Sequence, residues 1–176
     1  MSIAGAVSWI LGNAFLWLFV VGVVVAIVKI RRAAFARRVV TQPYVLWGEV
    51  LFYTAGIGMI YSGLFHAYGG AMVAATIGWG PSPFQYELGW FEIGIGIVGM
   101  LALWRGYEMR LAVTLANAIF LFAAAAQHIQ MMLVDHNYAP NNAGPILWIA
   151  DILYPIVFLI LAWLSREAHE RSERLH

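Results

Sequence analysis

Five long apolar stretches, each closed by polar or helix-breaking residues, set the pattern of this chain. The first runs from about Ile3 to Val28 and stops at Lys29, Arg31, Arg32, Arg37 and Arg38. The second follows Pro43, from about Tyr44 to Ala67, and a loop with Gly78, Trp79, Gly80 and Pro81 precedes the third. Ser82-Pro83-Phe84-Gln85 reads as a helix start, with serine as cap, proline in the first turn and glutamine completing a capping box. The third stretch extends from Pro83 to about Trp104 and stops at Arg105, and the fourth, after Arg110, covers Leu111 to about Val134. A polar loop, Asp135 to Gly144, with Asn137, Asn141, Asn142 and Pro140, leads through Pro145 into the fifth, which ends near Leu164. A membrane crossing takes roughly 20 mainly apolar residues, and each stretch reaches that length. The pattern predicts an all-α fold, a polytopic membrane helix bundle of five transmembrane helices over residues 1–164. Residues 165–176 form a charged tail that alternates sign like a solvated helix.

Composition agrees: 62% of the residues are hydrophobic and 11% charged, against about 25% charged in soluble domains. The net charge of +1 says little as a total; its distribution decides the topology. All ten Lys and Arg follow the first stretch, separate the third from the fourth, or lie in the tail. With five spans these places share one side, and the positive-inside rule makes that side cytoplasmic. The N-terminus is then outside and the C-terminus cytoplasmic, in the inner (cytoplasmic) membrane of the cell. Tyr44, Trp47, Trp104, Tyr107 and Trp163 mark the inner boundary, and Tyr68, Trp79, Tyr86, Tyr138 and Trp148 the outer one. No positively charged region precedes the first stretch, so no cleavable signal is expected. With no cysteine, thiol redox chemistry and thiolate ligation are excluded. Nucleic-acid patches and phosphate-binding glycine loops are absent. Gly89, Gly94, Gly96 and Gly99 in the third span and Ala123 to Ala126 in the fourth would let neighbouring helices approach, which makes these two spans the expected centre of the bundle.

The chemistry lies in the exceptions. An ionisable residue inside a span costs about 2.5–3.5 kcal/mol on insertion scales, so each asks for a reason. His66, Glu87, Glu92, His128 and Asp151, with Asp135 and His136 at the border, gather in the outer third without any Lys or Arg. Four carboxylates cannot all be ionised there without a counter-charge. A bound transition metal ion would supply it, with neutral imidazole and carboxylate as ligands for Zn, Fe or Mn ahead of Cu or haem. Alternatively, some carboxyl groups keep their protons and act as proton donors or relays. The plainest reading is a wet vestibule or a contact with another subunit.

Taken singly, His128 is the strongest candidate ligand, deep on a face with Asn117, Ala124, Met131 and Asp135. Glu92 is deeper than Glu87 and has Gly96 and Gly99 on its face, and the two glutamates are too far apart around the helix to share a site. Asp151 could instead bond backbone groups freed by Pro155, and His66 could simply sit at headgroup level. Glu49 is expected to pair with a nearby arginine, and His169 and His176 fall in the tail. No HExxH motif, ExxH pair or histidine box occurs, so a di-iron set is not met. The candidate metal set is His128, Glu92, Glu87, Asp151 and His66, serving oxidation or hydrolysis of a lipophilic small molecule. The alternatives are a metal-free acid–base isomerase or hydratase, and a non-enzymatic subunit. Expected partners are membrane lipid, a lipophilic molecule, and a homo-oligomer or larger membrane complex.

Trp79-Gly-Pro-Ser-Pro-Phe-Gln-Tyr-Glu87, the histidine near the end of the fourth span, and Asn137-Tyr-Ala-Pro-Asn-Asn-Ala-Gly144 resemble the DUF6790 family of small bacterial and archaeal membrane proteins of unknown function. The resemblance covers roughly residues 44 to 160. It implies a compact helical membrane domain and no particular activity, with Glu87, His128 and the Asn-rich loop as one functional unit. Phe91-Glu92 departs from the pattern, which would make Glu92 particular to this chain.

Overall fold

The computed structural model describes residues 2–173, without the side chains of 4–8 and 167–173. His169 and His176 thus lie outside the described side chains. The described chain is helical: a short α1 (Ile3–Gly12) is followed by α2 (Ala14–Phe35), α3 (Gln42–Ile77), α4 (Phe84–Trp104), α5 (Tyr107–Val134) and α6 (Pro140–Arg166). The last five are long and apolar enough to cross a membrane. The first apolar stretch is broken at Asn13, whose amide donates to Trp9 O at 2.8 Å, so α2 alone has the length of a crossing.

Two helices carry π-helical segments. α3 contains a π-helical segment, Phe52–Gly58, and α6 another, Ile146–Leu153. α3 starts with Pro43 in its first turn and ends on Gly78 at φ 81°, a left-handed conformation that glycine adopts without strain.

Span three is not central. A Cβ built on Gly89 would stand 2.4 Å from Ala67 N, one on Gly96 2.8 Å from Gly56 O, and one on Gly99 2.6 Å from Ala55 O. The small residues of α4 therefore bring its backbone against α3, not against α5. Within the apolar window of α4 only 28% is buried, against 44% for α3 and α6 and 39% for α5. The core forms where α3, α5 and α6 meet, around Trp47, Leu51, Val113, Tyr154 and Phe158. Of the alanine run on α5 only Ala125 is buried.

The end of the bundle opposite the Asn-rich loop is fastened by charge. Arg110 is buried at 5% exposure. Its guanidinium donates to Ala102 O at 3.1 Å, Leu103 O at 2.8 Å and Tyr44 O at 2.7 Å, and lies 3.9 Å from the centre of the Tyr44 ring. It binds carbonyls in the last turn of α4, one of which, Ala102 O, also accepts from Arg105 N, and ties them to the start of α3. Glu49 finds Lys29 at 2.5 Å, where an arginine was expected.

Candidate functional site

Helical spacing on α5 places Thr114, Asn117, Leu121, Ala125 and His128 along one buried face. Met131 is half-buried and Asp135 exposed, so the polar face expected to continue through them ends at His128. The partner of His128 comes from the first turn of α6. Asn142, fully buried, donates from Nδ2 to Asn137 O at 2.8 Å and His128 O at 3.3 Å. Two carbonyl acceptors fix the orientation of the amide, which turns Oδ1 to His128 Nδ1 at 2.7 Å. An acceptor there requires the proton on Nδ1, so a neutral His128 points the lone pair of Nε2 away from Asn142.

Nε2 faces Asp151, with Oδ2 at 3.9 Å. This is beyond hydrogen-bond length, but within one small shift or one bridging water. Asp151 sits in the π segment of α6, 5% exposed, and its Oδ2 has no hydrogen-bond partner. Glu92 of α4 is the third member. It is 4% exposed, hydrogen-bonded to Ser62 of α3, and close enough to Asp151 to interact with it electrostatically. Its Oε2 also lacks a partner. Trp79 covers the group: its ring stacks on His128 at 5.9 Å, and its Nε1 donates to Met131 Sδ at 2.7 Å. Asn137 and Asn141 tie the loop to the end of α3, through Ile77 O at 2.9 Å and Thr76 Oγ1 at 3.0 Å.

Of the five expected residues, His128 and Asp151 thus face each other from α5 and α6, with Glu92 of α4 within electrostatic reach of Asp151. The other two stand apart. Glu87, on the first turn of α4, is exposed. His66 is half-buried with Nδ1 2.5 Å from Gln85 Oε1. That contact takes the glutamine away from the capping box expected of it; the Ser82 hydroxyl accepts from Phe84 N at 3.2 Å instead. Among the described residues no three His, Asp or Glu side chains are grouped as a metal ion requires. The five candidates are therefore not one ligand set.

Asn142 is the member that sequence reading missed. The Asn-rich loop was visible, but nothing in its spacing says which asparagine enters the core.

The fold and this group define a class: an all-helical chain with five helices able to cross a membrane and a buried histidine–carboxylate group near the Asn-rich loop. The chain belongs to DUF6790, a family of unknown function, whose profile matches residues 12–171. The match reaches beyond the 44–160 stretch that carried the resemblance. No curated protein and no solved structure matches the chain.

Proposed function

We propose that this chain is a multi-span protein of the cytoplasmic membrane in which His128, Asp151 and Glu92 bind and pass protons, in acid–base chemistry on a lipophilic molecule. One observation carries the reading. The amide of Asn142 holds the Nδ1 proton of His128, so Nε2 and Asp151 Oδ2 face each other with one proton to share. Either Asp151 keeps it as a carboxylic acid, or it moves to Nε2 and leaves an imidazolium–carboxylate pair. Both states avoid a bare carboxylate opposite a lone pair in a low-dielectric layer. Groups that exchange a proton at little cost are what acid–base chemistry needs. Glu92, unpartnered at Oε2, is the neighbouring acceptor or donor.

The one-sided basic residues support a cytoplasmic C-terminus, which puts the His128 layer toward the outer face.

Glu92→Gln and Asp151→Asn test the reading, because an amide imitates a neutral acid in shape and hydrogen bonding. Protein purified without chelator should carry no stoichiometric Zn, Fe or Mn, and both variants should keep wild-type stability within about 1 kcal/mol. Stoichiometric metal that falls by at least ~10-fold in affinity in the variants would replace the proton reading with the metal one. Copurification of a further chain in fixed ratio would favour the subunit role.

A further inference from the structure

About 16 Å along α5 from His128, at roughly 1.5 Å per residue, lies a polar spot that the proton group does not use. Asn117 is 1% exposed. Its Nδ2 donates to Val113 O at 2.9 Å, while its Oδ1 has no partner. The residue lines a cleft where α2, α3, α5 and α6 meet, with Phe15, Thr54, Ala55, Ala150 and Tyr154 among the walls. The cleft measures about 210 Å³ with its open side included, and its enclosed part has room for about one water.

Both π segments reach this cleft. Thr54 and Ala55 belong to the one in α3 and Ala150 to the one in α6. A π turn widens a helix by an extra residue and is common at functional sites; two of them meeting over small side chains keep a gap open. The hydroxyls on the walls are already committed as donors, Thr54 to Val50 O at 2.6 Å and Tyr154 to Phe15 O. The free acceptor of the cleft is Asn117 Oδ1, and the wall hydroxyls add no donor to the second N–H of Asn117 Nδ2. An unpaired buried carbonyl costs about 1–3 kcal/mol, so the fitting occupant brings a donor, and no charge faces it within the lining.

A second cleft, about 200 Å³ with its open side included, lies between the starts of α2 and α6, lined by Gly12, Asn13, Phe15, Leu16, Ile146 and Ile149. Phe15 stands on both linings. α2 is also the least embedded span, with 11% of its apolar window buried. The seam between α2 and α6, bridged by the Tyr154 hydroxyl on Phe15 O, leads past one aromatic ring to Asn117.

We propose that the Asn117 cleft binds the hydroxyl head of a slender lipophilic alcohol, whose alkyl chain passes Phe15 into the α2–α6 seam. The hydroxyl donates to Asn117 Oδ1, and the chain replaces lipid contacts with apolar wall. The inference stands apart from the proton group, since Asn117 does not titrate.

The test uses the full-length protein in micelles and a decanol carrying a photoreactive diazirine at the end of its chain. Cross-links located by mass spectrometry should fall on the seam, at residues such as Leu16 and Ile149. Unlabelled 1-decanol should compete about tenfold better than methyl decyl ether, the ratio expected when a buried acceptor gains or lacks its donor. Asn117→Leu should erase that preference while the protein keeps its helical content. Ala150→Leu, which fills the cleft and leaves Asn117 intact, should abolish seam labelling. Equal competition by alcohol and ether on the wild-type protein would overturn the proposal, as would cross-links spread over all lipid-facing helices. In either case Asn117 is served by water alone. The wild-type comparison decides the matter even if a variant fails to fold.

Discussion

Replacing Asn142 by leucine should damage the site and the fold together. Leucine has the same branching and is larger, so no cavity term arises; what is lost is hydrogen bonding, with any overpacking added to it. Two groups lose their partner, His128 Nδ1–H, bonded at 2.7 Å, and Asn137 O at 2.8 Å, while His128 O, an acceptor inside α5, loses an additional bond of 3.3 Å. The last is long and counts for less. Two good bonds and one weak one in a fully buried position amount to about 3 kcal/mol, within about 2–5, at 1–3 kcal/mol for each buried group left unpaired. Asn142→Asp should cost less, because it keeps an oxygen for His128 and gives up only the bonds to the two carbonyls. Reversible unfolding in mixed micelles with a denaturing detergent gives the stabilities. Nitrogen NMR of labelled histidine gives the tautomer, which should be protonated at Nδ1 in the wild type and released from that preference in Asn142→Leu. A leucine variant within about 0.5 kcal/mol of wild type that keeps the Nδ1 tautomer would refute the argument that Asn142 orients the imidazole.

Other expectations follow from the packing and the charges. Gly89→Ala should cost about 1–3 kcal/mol by forcing α3 and α4 apart, since its Cβ would stand 2.4 Å from Ala67 N. Gly94→Ala, which meets nothing within 4 Å, should be neutral or stabilising by up to about 1 kcal/mol, as measured in the same unfolding assay. Arg110→Lys should lose about 2 kcal/mol, because one ammonium cannot reach three carbonyls held in a fork. Cysteines at Tyr138, in the Asn-rich loop, and Val39, between α2 and α3, report sidedness: an impermeant thiol reagent outside intact cells should label the first and not the second.

The spans were legible because a bilayer demands length and apolarity that only these stretches provide, and counting residues along helices set His128 and Asp151 at a common level, where they face each other. What failed was anything set by rotation or by a loop. The small residues of α4 showed that some helix comes close, yet not that it would be α3. Gln85 fitted a capping box and instead bonds His66, a choice made across helices. Arg110, which the sequence placed only before the fourth span, is buried, since its fork finds three carbonyls no periodicity foretells. The two π segments, which aim Asp151 at His128 and shape the Asn117 cleft, leave no mark in hydrophobic spacing.

The central claim is that a carboxyl group of the His128 layer carries or shares a proton at neutral pH. Infrared spectroscopy of the protein in lipid reads this in the carbonyl stretch of a carboxylic acid, which a carboxylate does not show. The wild-type protein should show such a band near neutral pH, shifted by deuterium exchange. Glu92→Gln should remove part of it, Asp151→Asn should remove either a further part or the signature of a His128 imidazolium, and Asn117→Leu should leave both unchanged. A wild-type spectrum at neutral pH with neither a carboxylic-acid band nor the signature of a His128 imidazolium would contradict the account.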